Sequence, residues 1–228
     1  MKAKKAVILL SGGIDSATAA AIAIEQGFDL HALVFSYGQR HGIEIESAKS
    51  LARFFGITDC RIIEIPAEIF RSALTDKDRA VPKNRKSSGR GIPDTYVPGR
   101  NIIFLSYALA YAESIGASCI FIGATAVDYS GYPDCRPEFF KAFQLMADIG
   151  TKSGVGGKKI SIETPLIGLS KARIIQKGSS LGVDYSLTHS CYDPGPDGRA
   201  CGSCDSCLIR KKGFNDAGVP DPTRYRIH

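Results

Sequence analysis

No apolar run in this chain approaches the roughly 18–20 residues that a membrane-spanning helix needs, so the sequence offers no helical membrane span. The start is expected to be a buried strand rather than an export signal. Lys2, Lys4 and Lys5 precede the apolar stretch Ala6–Leu10, but that stretch is too short and Asp15 follows it closely. There is no Gly-Lys-Ser/Thr, which excludes a Walker A loop, and no G-x-G-x-x-G, which excludes the dinucleotide fingerprint. Internal repeats and low-complexity tracts are absent. No aromatic residues interleave the basic segment Asp76–Arg90, as base stacking would want. Its Lys77, Arg79, Lys83, Arg85, Lys86 and Arg90 supply much of the net charge of +6 and read as a solvated loop, or as a loop that closes over phosphates. The cysteines number seven, an odd count in a chain without an export signal, which argues against a disulfide framework. These absences together predict a cytoplasmic protein.

What is present reads as alternating strands and helices. Lys4–Leu10 is a short apolar run that predicts a buried strand, followed by a helix over Ala17–Gln26. A strand over Asp29–Phe35, a helix over Glu44–Phe55 and a strand over Arg61–Ile65 come next. Asp76–Pro98 breaks the rhythm with Pro82, Pro93 and Pro98 and is too long for an ordinary connection, so it reads as a lid or mobile loop. Asn101–Ile115 is apolar nearly all round and predicts a buried helix. Cys119–Gly123 and Ile160–Thr164 read as strands, Pro137–Ile149 and Ser170–Leu181 as helices, with Ser170 as N-cap. The pattern predicts the α/β class: an open, mostly parallel five-stranded sheet with helices on both faces. The expected division is one domain over 1–187, including the long loop 76–98, and a tail over 188–228 packed on it. The tail is rich in Gly, Pro and Cys and too poor in apolar residues to form a core unaided, so a metal would have to organise it.

Ser11-Gly12-Gly13-Ile14-Asp15-Ser16 lies between the first strand and its helix. An open parallel sheet places its ligand there, and backbone N–H groups with the helix dipole attract anions. Gly12 and Gly13 let the backbone approach phosphate oxygens, while Ser11 and Ser16 offer hydroxyl donors. Asp15 is an acid in an anion site; it either meets Mg²⁺ or caps the helix. In the tail, Cys191, Cys201, Cys204 and Cys207 are spaced so that a single ion reaches all four, and four thiolates suit one structural Zn²⁺. An iron–sulfur cluster and His189 in place of Cys191 are the competing readings. Cys60, Cys119 and Cys135 read as small buried apolar residues.

The hexapeptide SGGIDS resembles the PP-loop of the ATP pyrophosphatase superfamily, whose members cleave ATP between its α- and β-phosphates and adenylate an oxygen. Four further strings narrow the resemblance: Tyr37–His41, Thr95–Asn101, Asp128–Arg136 with its SGYPDC core, and Cys201–Cys207 behind Ser190–Cys191–Tyr192. Together they are similar to the 7-cyano-7-deazaguanine synthase family, from the first strand to about Phe214. The resemblance implies an ATP-dependent ligase of PP-loop fold that converts 7-carboxy-7-deazaguanine and ammonium to the nitrile preQ0 for queuosine, adenylating first the carboxylate and then the amide.

Carried onto this sequence, it implies nucleotide contacts from Leu10, Ser11, Gly12, Gly13, Ile14, Asp15, Ser16, Ala17 and Thr18, and from Phe35, Tyr37, Arg40, Arg100 and Asn101. Catalysis would fall to Ser11, Asp15, Ser16, Arg100 and Asp134. Tyr129, Tyr132, Asp134 and Arg136 would meet the substrate, with the acid accepting from a guanine-like edge. Structural Zn²⁺, Mg²⁺ with ATP and a homodimer complete the expectation, without membrane or nucleic-acid partners. The alternatives are a tRNA-thiolating PP-loop enzyme, which would need a tRNA surface and a catalytic cysteine, and a non-catalytic zinc module with a nucleotide sensor.

Overall fold

The computed structural model describes residues 3–40, 42–76, 78–84, 91–127 and 131–226. Its sheet has five strands, all parallel, in the order β3-β2-β1-β4-β5. They are β1 (Lys4–Leu9), β2 (Phe28–Ser36), β3 (Asp59–Glu64), β4 (Cys119–Ile122) and β5 (Ser161–Glu163). The helices are α1 (Ile14–Glu25), α2 (Ile43–Phe54), α3 (Arg100–Ile115), α4 (Pro137–Gly150), α5 (Lys152–Val155), α6 (Lys171–Ser180) and α7 (Asp205–Ala217).

Successive side chains of a strand point to opposite faces, and both faces of β1 are covered. Ala6 and Ile8 pack into one apolar layer with α1, α2 and α6, while Val7 and Leu9 pack into the other with α3 and α4. That two-sided burial is why the central strands read as unbroken apolar runs. Alanines at 17, 19, 20, 21 and 23 are all buried, so α1 lies close against the sheet. Ser170 caps α6, its hydroxyl accepting from the Arg173 amide.

Three expectations need correction. The first helix starts at Ile14, not Ala17, which places half of the SGGIDS string inside its first turn. Helix α3 is covered on one side only: Ile102 is 49% and Tyr107 46% exposed. The tail holds a full helix, α7, and shares the core, because Phe214 is buried among residues of α1, α6 and Tyr185. The described part of the long loop packs on the tail. Val81 is buried against the cysteines, Lys83 forms a bridge with Cys204 and an ion pair with Asp193 at 2.8 Å, and the Asn84 amide donates to Ser203 O. None of the described helices is long and apolar enough to cross a membrane.

Candidate active site

The chain leaves β1 toward β2 and β3, then returns to β4 on the other side of β1. Connections therefore diverge between β1 and β4, and an open sheet has its crevice at the carboxyl ends of the strands at such a point. A cavity of about 250 Å³ lies there. Ser11 and Gly13–Ser16 form one wall, Phe35 and Tyr37 another, and Gly123–Thr125 after β4 a third; Arg100 and Asn101 reach in from α3.

The loop after β1 is braced by Ser16. Its hydroxyl donates to Gly13 O at 3.1 Å and accepts from the amide and hydroxyl of Ser11 at 3.2 and 3.1 Å. Gly13 is the N-cap of α1 and makes no side-chain cap, so the first amides of the helix carry no capping group. Those amides and the dipole behind them favour an anion. Gly12 serves a different need. Its φ of +84° is left-handed, and a Cβ there would overlap the carbonyl oxygen of Glu44 and come within 3.0 Å of the Ala48 amide. Asp15 neither caps the helix nor stands alone. Lys171 Nζ lies 2.5 and 2.7 Å from its two carboxylate oxygens, and that lysine, 156 residues away in sequence, is buried on the cavity wall.

On the opposite wall Arg100 donates to the Tyr37 hydroxyl at 3.3 Å. Asn101 is locked to the loop before α4: its amide nitrogen donates to Asp134 Oδ2 at 3.0 Å, and its Nδ2 to Asp134 O at 2.9 Å and Cys135 Sγ at 3.3 Å. Asp134 thus accepts from an otherwise unpaired amide of the first turn of α3. Tyr132 lines the cavity, its hydroxyl 2.8 Å from Thr95 Oγ1.

The tail supplies the rest of the wall through His189, Ser190, Tyr192, Ser206 and Arg210. It is strapped to the phosphate-type loop by the His189 amide donating to Gly12 O at 2.9 Å. Arg210 is only 2% exposed, yet its guanidinium is satisfied: it bonds Asp221 at 3.1 Å, Thr188 Oγ1 at 2.8 Å, Ser190 Oγ at 3.2 Å and Tyr185 O at 3.1 Å. Beside it the thiols of Cys191, Cys201, Cys204 and Cys207 are all buried and lie within 4.8 Å of one another. Tetrahedral thiolates about 2.3 Å from a zinc ion stand about 3.8 Å apart, and Cys201 and Cys207 are at 4.0 Å. Amides of Asp193 and Cys201 donate to Cys191 Sγ at 3.3 and 3.1 Å, and that of Cys204 to Cys201 Sγ at 3.3 Å. Such N–H···S bonds favour the deprotonated, metal-binding form, and the cluster can hold one metal ion. His189 lies outside it, its Nε2 directed to Cys191 O.

The sequence matches the family model described as "Queuosine biosynthesis protein QueC" over residues 5–218. It is 60% identical over 225 residues to the 7-cyano-7-deazaguanine synthase of Desulfatibacillum aliphaticivorans, covering 97% of each chain. It is 56% identical over 225 residues to the enzyme of the same name from Myxococcus xanthus, again with 97% of each covered. This chain belongs to the QueC family. Its fold is shared more widely: it superposes on a 4-thiouridine synthetase solved as an RNA complex with bound ATP at a TM-score of 0.50 and 21% identity, over 94% of this chain and 50% of that one. The family read from the SGYPDC string and the cysteine tail is therefore the one that the comparisons return.

Within this QueC chain the structure gathers Leu10, Ser11, Gly13, Ile14, Asp15, Ser16, Phe35, Tyr37, Arg100, Asn101 and Tyr132 around one cavity. It turns others away. Gly12 faces α2; Ala17 is wholly buried in the core; Thr18 bonds Ile14 O and the Tyr185 hydroxyl. Arg40 is committed to the carbonyls of Ala73, Asp76 and Arg79 and does not reach the main cavity. Arg136 is exposed as the N-cap of α4, and Asp134 lies beneath Asn101 rather than on the cavity wall. Tyr129 lies outside the described residues. Lys171, Arg210 and Glu44 were not anticipated. Nothing local marked the first two, because α6 and α7 are polar helices in which one more lysine or arginine reads as a solvated charge. Cys135 does more than pack: it lines the cavity, and burial pushes its thiol up to about 11, so it is protonated and unreactive at neutral pH.

Proposed function

We propose that the chain converts 7-carboxy-7-deazaguanine, ammonium and ATP into 7-cyano-7-deazaguanine, activating the same carbon twice through adenylated carboxylate and amide. The observation that carries this reading is the loop Ser11–Ser16 at the switch point, its amides open to a cavity that also receives Arg100, Lys171 and Arg210. A carboxylate does not yield to ammonia, because oxide is no leaving group. Transfer of AMP to its oxygen supplies one, and amides fixed in place stabilise the charge that grows on departing pyrophosphate. Gly13, Ile14, Asp15 and Ser16 offer those amides, and Lys171, held by Asp15, adds a cation beside them. Arg100 suits a carboxylate or the α-phosphate, and Tyr132 a flat heterocycle. Zinc ties the tail through the four cysteines, whose all-thiolate donor set leaves no open position for chemistry. Magnesium enters with ATP, and Asp15 is the carboxylate near enough to the loop to meet it. The protonated state of Cys135 weighs against sulfur transfer at this cavity.

Two results test the reading. Incubation with all three substrates is expected to yield the nitrile with AMP and pyrophosphate; release of ADP and phosphate instead would overturn it. The loop glycines are expected to separate binding from folding. Gly13→Val, at a site with only Ser11 Oγ and His189 O within 4 Å of a Cβ, is expected to keep the wild-type Tm and to lose ATP cleavage. Gly12→Val is expected to lose stability, by about 2 kcal/mol or more, from left-handed strain and overlap with α2. Wild-type ATP use by Gly13→Val would displace pyrophosphate from this loop.

A further inference from the structure

Beside the main cavity lies a recess of about 10 Å³, bounded by Tyr37, Gln39, Arg40, Glu44, Leu74 and Tyr192. That is room for one water-sized molecule. Glu44, in the first turn of α2, borders both spaces. Among the described residues its carboxyl makes no hydrogen bond and no ion pair, whereas its polar neighbours are occupied. The Gln39 side chain is spent on its own turn, accepting from the Tyr37 amide at 2.8 Å and donating to Phe35 O at 3.0 Å. Arg40 is turned away to the carbonyls of Ala73, Asp76 and Arg79, and the Tyr37 hydroxyl accepts from Arg100. What faces the recess is one uncommitted carboxyl, two phenolic rings and the apolar Leu74. An acid with aromatic rings selects a small cation, and a half-buried carboxylate without a partner is costly until it finds one or takes a proton.

We propose that this recess is the ammonium site and that Glu44 is the base that frees its nitrogen. The assignment rests on the amidation proposed above. Ammonium has no lone pair; the Glu44 carboxylate takes one proton, and the nitrogen pair then attacks the adenylated carbon. The C–O bond to AMP breaks, AMP leaves with that electron pair, and the second proton lost in forming the amide goes to solvent. Among the described residues, the groups that face Glu44 from the packed elements are Tyr37 beyond β2, Gln39 and Arg40 in the turn after it, Arg100 from α3 and Tyr192 from the tail. Burial pushes the Glu44 carboxyl up to about 7, against the pull of the Arg100 charge. A base poised there is ionised above that pH and strong enough to accept a proton near it. The ammonium-dependent rate is therefore expected to rise as pH increases through about 7.

The test is Glu44→Gln, which keeps shape and removes the base. Its nitrile synthesis with ammonium is expected to fall by roughly 10²–10⁴-fold at neutral pH, the range for a positioned base. The wild-type limb near pH 7 is expected to vanish, leaving a rate that merely follows free ammonia as pH rises. Hydroxylamine is uncharged at neutral pH and needs no such base, so acyl transfer to it is expected to match wild type. ATP–pyrophosphate exchange driven by 7-carboxy-7-deazaguanine alone is expected to persist, which also shows the variant folded. Loss of exchange together with synthesis would overturn the assignment, placing Glu44 with nucleotide or carboxylate. An unchanged ammonium dependence would overturn it as well. Absence of exchange in the wild-type protein would instead refute the adenylation reading itself.

Discussion

A Cys204→Ser protein is expected to lose its metal, the order of its tail and nearly all of its activity. The thiols of Cys191, Cys201, Cys204 and Cys207 are buried together, and the segment from Thr188 to Cys204 has no regular element to hold it otherwise. In zinc-organised peptides the binding energy, about 10–16 kcal/mol at neutral pH, is folding energy. The damage is not confined to the tail. Helix α7 begins at the cluster, Phe214 on it completes the layer over α1 and α6, and His189, Ser190, Tyr192 and Arg210 wall the cavity. Chelation should therefore lower Tm and activity together. Elemental analysis of the wild-type protein is expected to find near-stoichiometric zinc in a colourless sample; iron and sulfide in a brown one would contradict the assignment.

Removing the Arg210 guanidinium is expected to be the costliest single change away from the metal. Arg210→Met leaves the partly buried Asp221 with its cation gone, along with the bonds to Thr188, Ser190 and Tyr185 O. Breaking a buried pair on one side typically costs about 3–5 kcal/mol. The Asp221 carboxyl sits below its ordinary value: burial works to raise it, but the Tyr225 hydroxyl at 2.6 Å and the Arg210 charge outweigh that. Stability from this carboxylate is thus present above the unfolded pKa of about 3.9 and lost as pH falls through the depressed folded value. Denaturant titration checks both. A loss near 1 kcal/mol for Arg210→Met would show that the tail does not depend on this pair. Arg210→Met with Asp221→Asn is expected to recover part of the loss, since no unpaired charge remains.

The sheet was legible because its inner strands are buried on both faces and read as short apolar runs, each followed by a glycine or a helix. The loop was legible for the same reason that it can bind an anion: glycines and small hydroxyls at a strand-to-helix turn. Helix α7 was not legible, because its inward residues are Cys207, Arg210, Gly213 and Phe214. Two of those four are an arginine and a glycine, which erase the apolar stripe that periodicity detects. Gly213 is required there: a Cβ would lie within 2.9 Å of Lys171 Cβ and collide further along that side chain. The Asp15–Lys171 pair was not legible, because the lysine is 156 residues away and the local string offered only a magnesium ligand or a cap. Arg40 resembled a nucleotide ligand and Arg136 a substrate ligand by type alone; a backbone-carbonyl cage and an exposed N-cap remove them from the main cavity. Glu44 carried no local signal, since an acid in the first turn of a helix is ordinary.

The central claim, that this cavity adenylates first the carboxylate oxygen and then the amide oxygen on one carbon, is tested most directly by following oxygen. 7-Carboxy-7-deazaguanine labelled with oxygen-18 in both carboxylate positions is supplied with ATP and ammonium, and the products are analysed by mass spectrometry. The account predicts a nitrile free of label, unlabelled pyrophosphate and two AMP per nitrile, each carrying one labelled oxygen in its phosphate. Label in inorganic phosphate accompanied by ADP, or AMP without label, would contradict it.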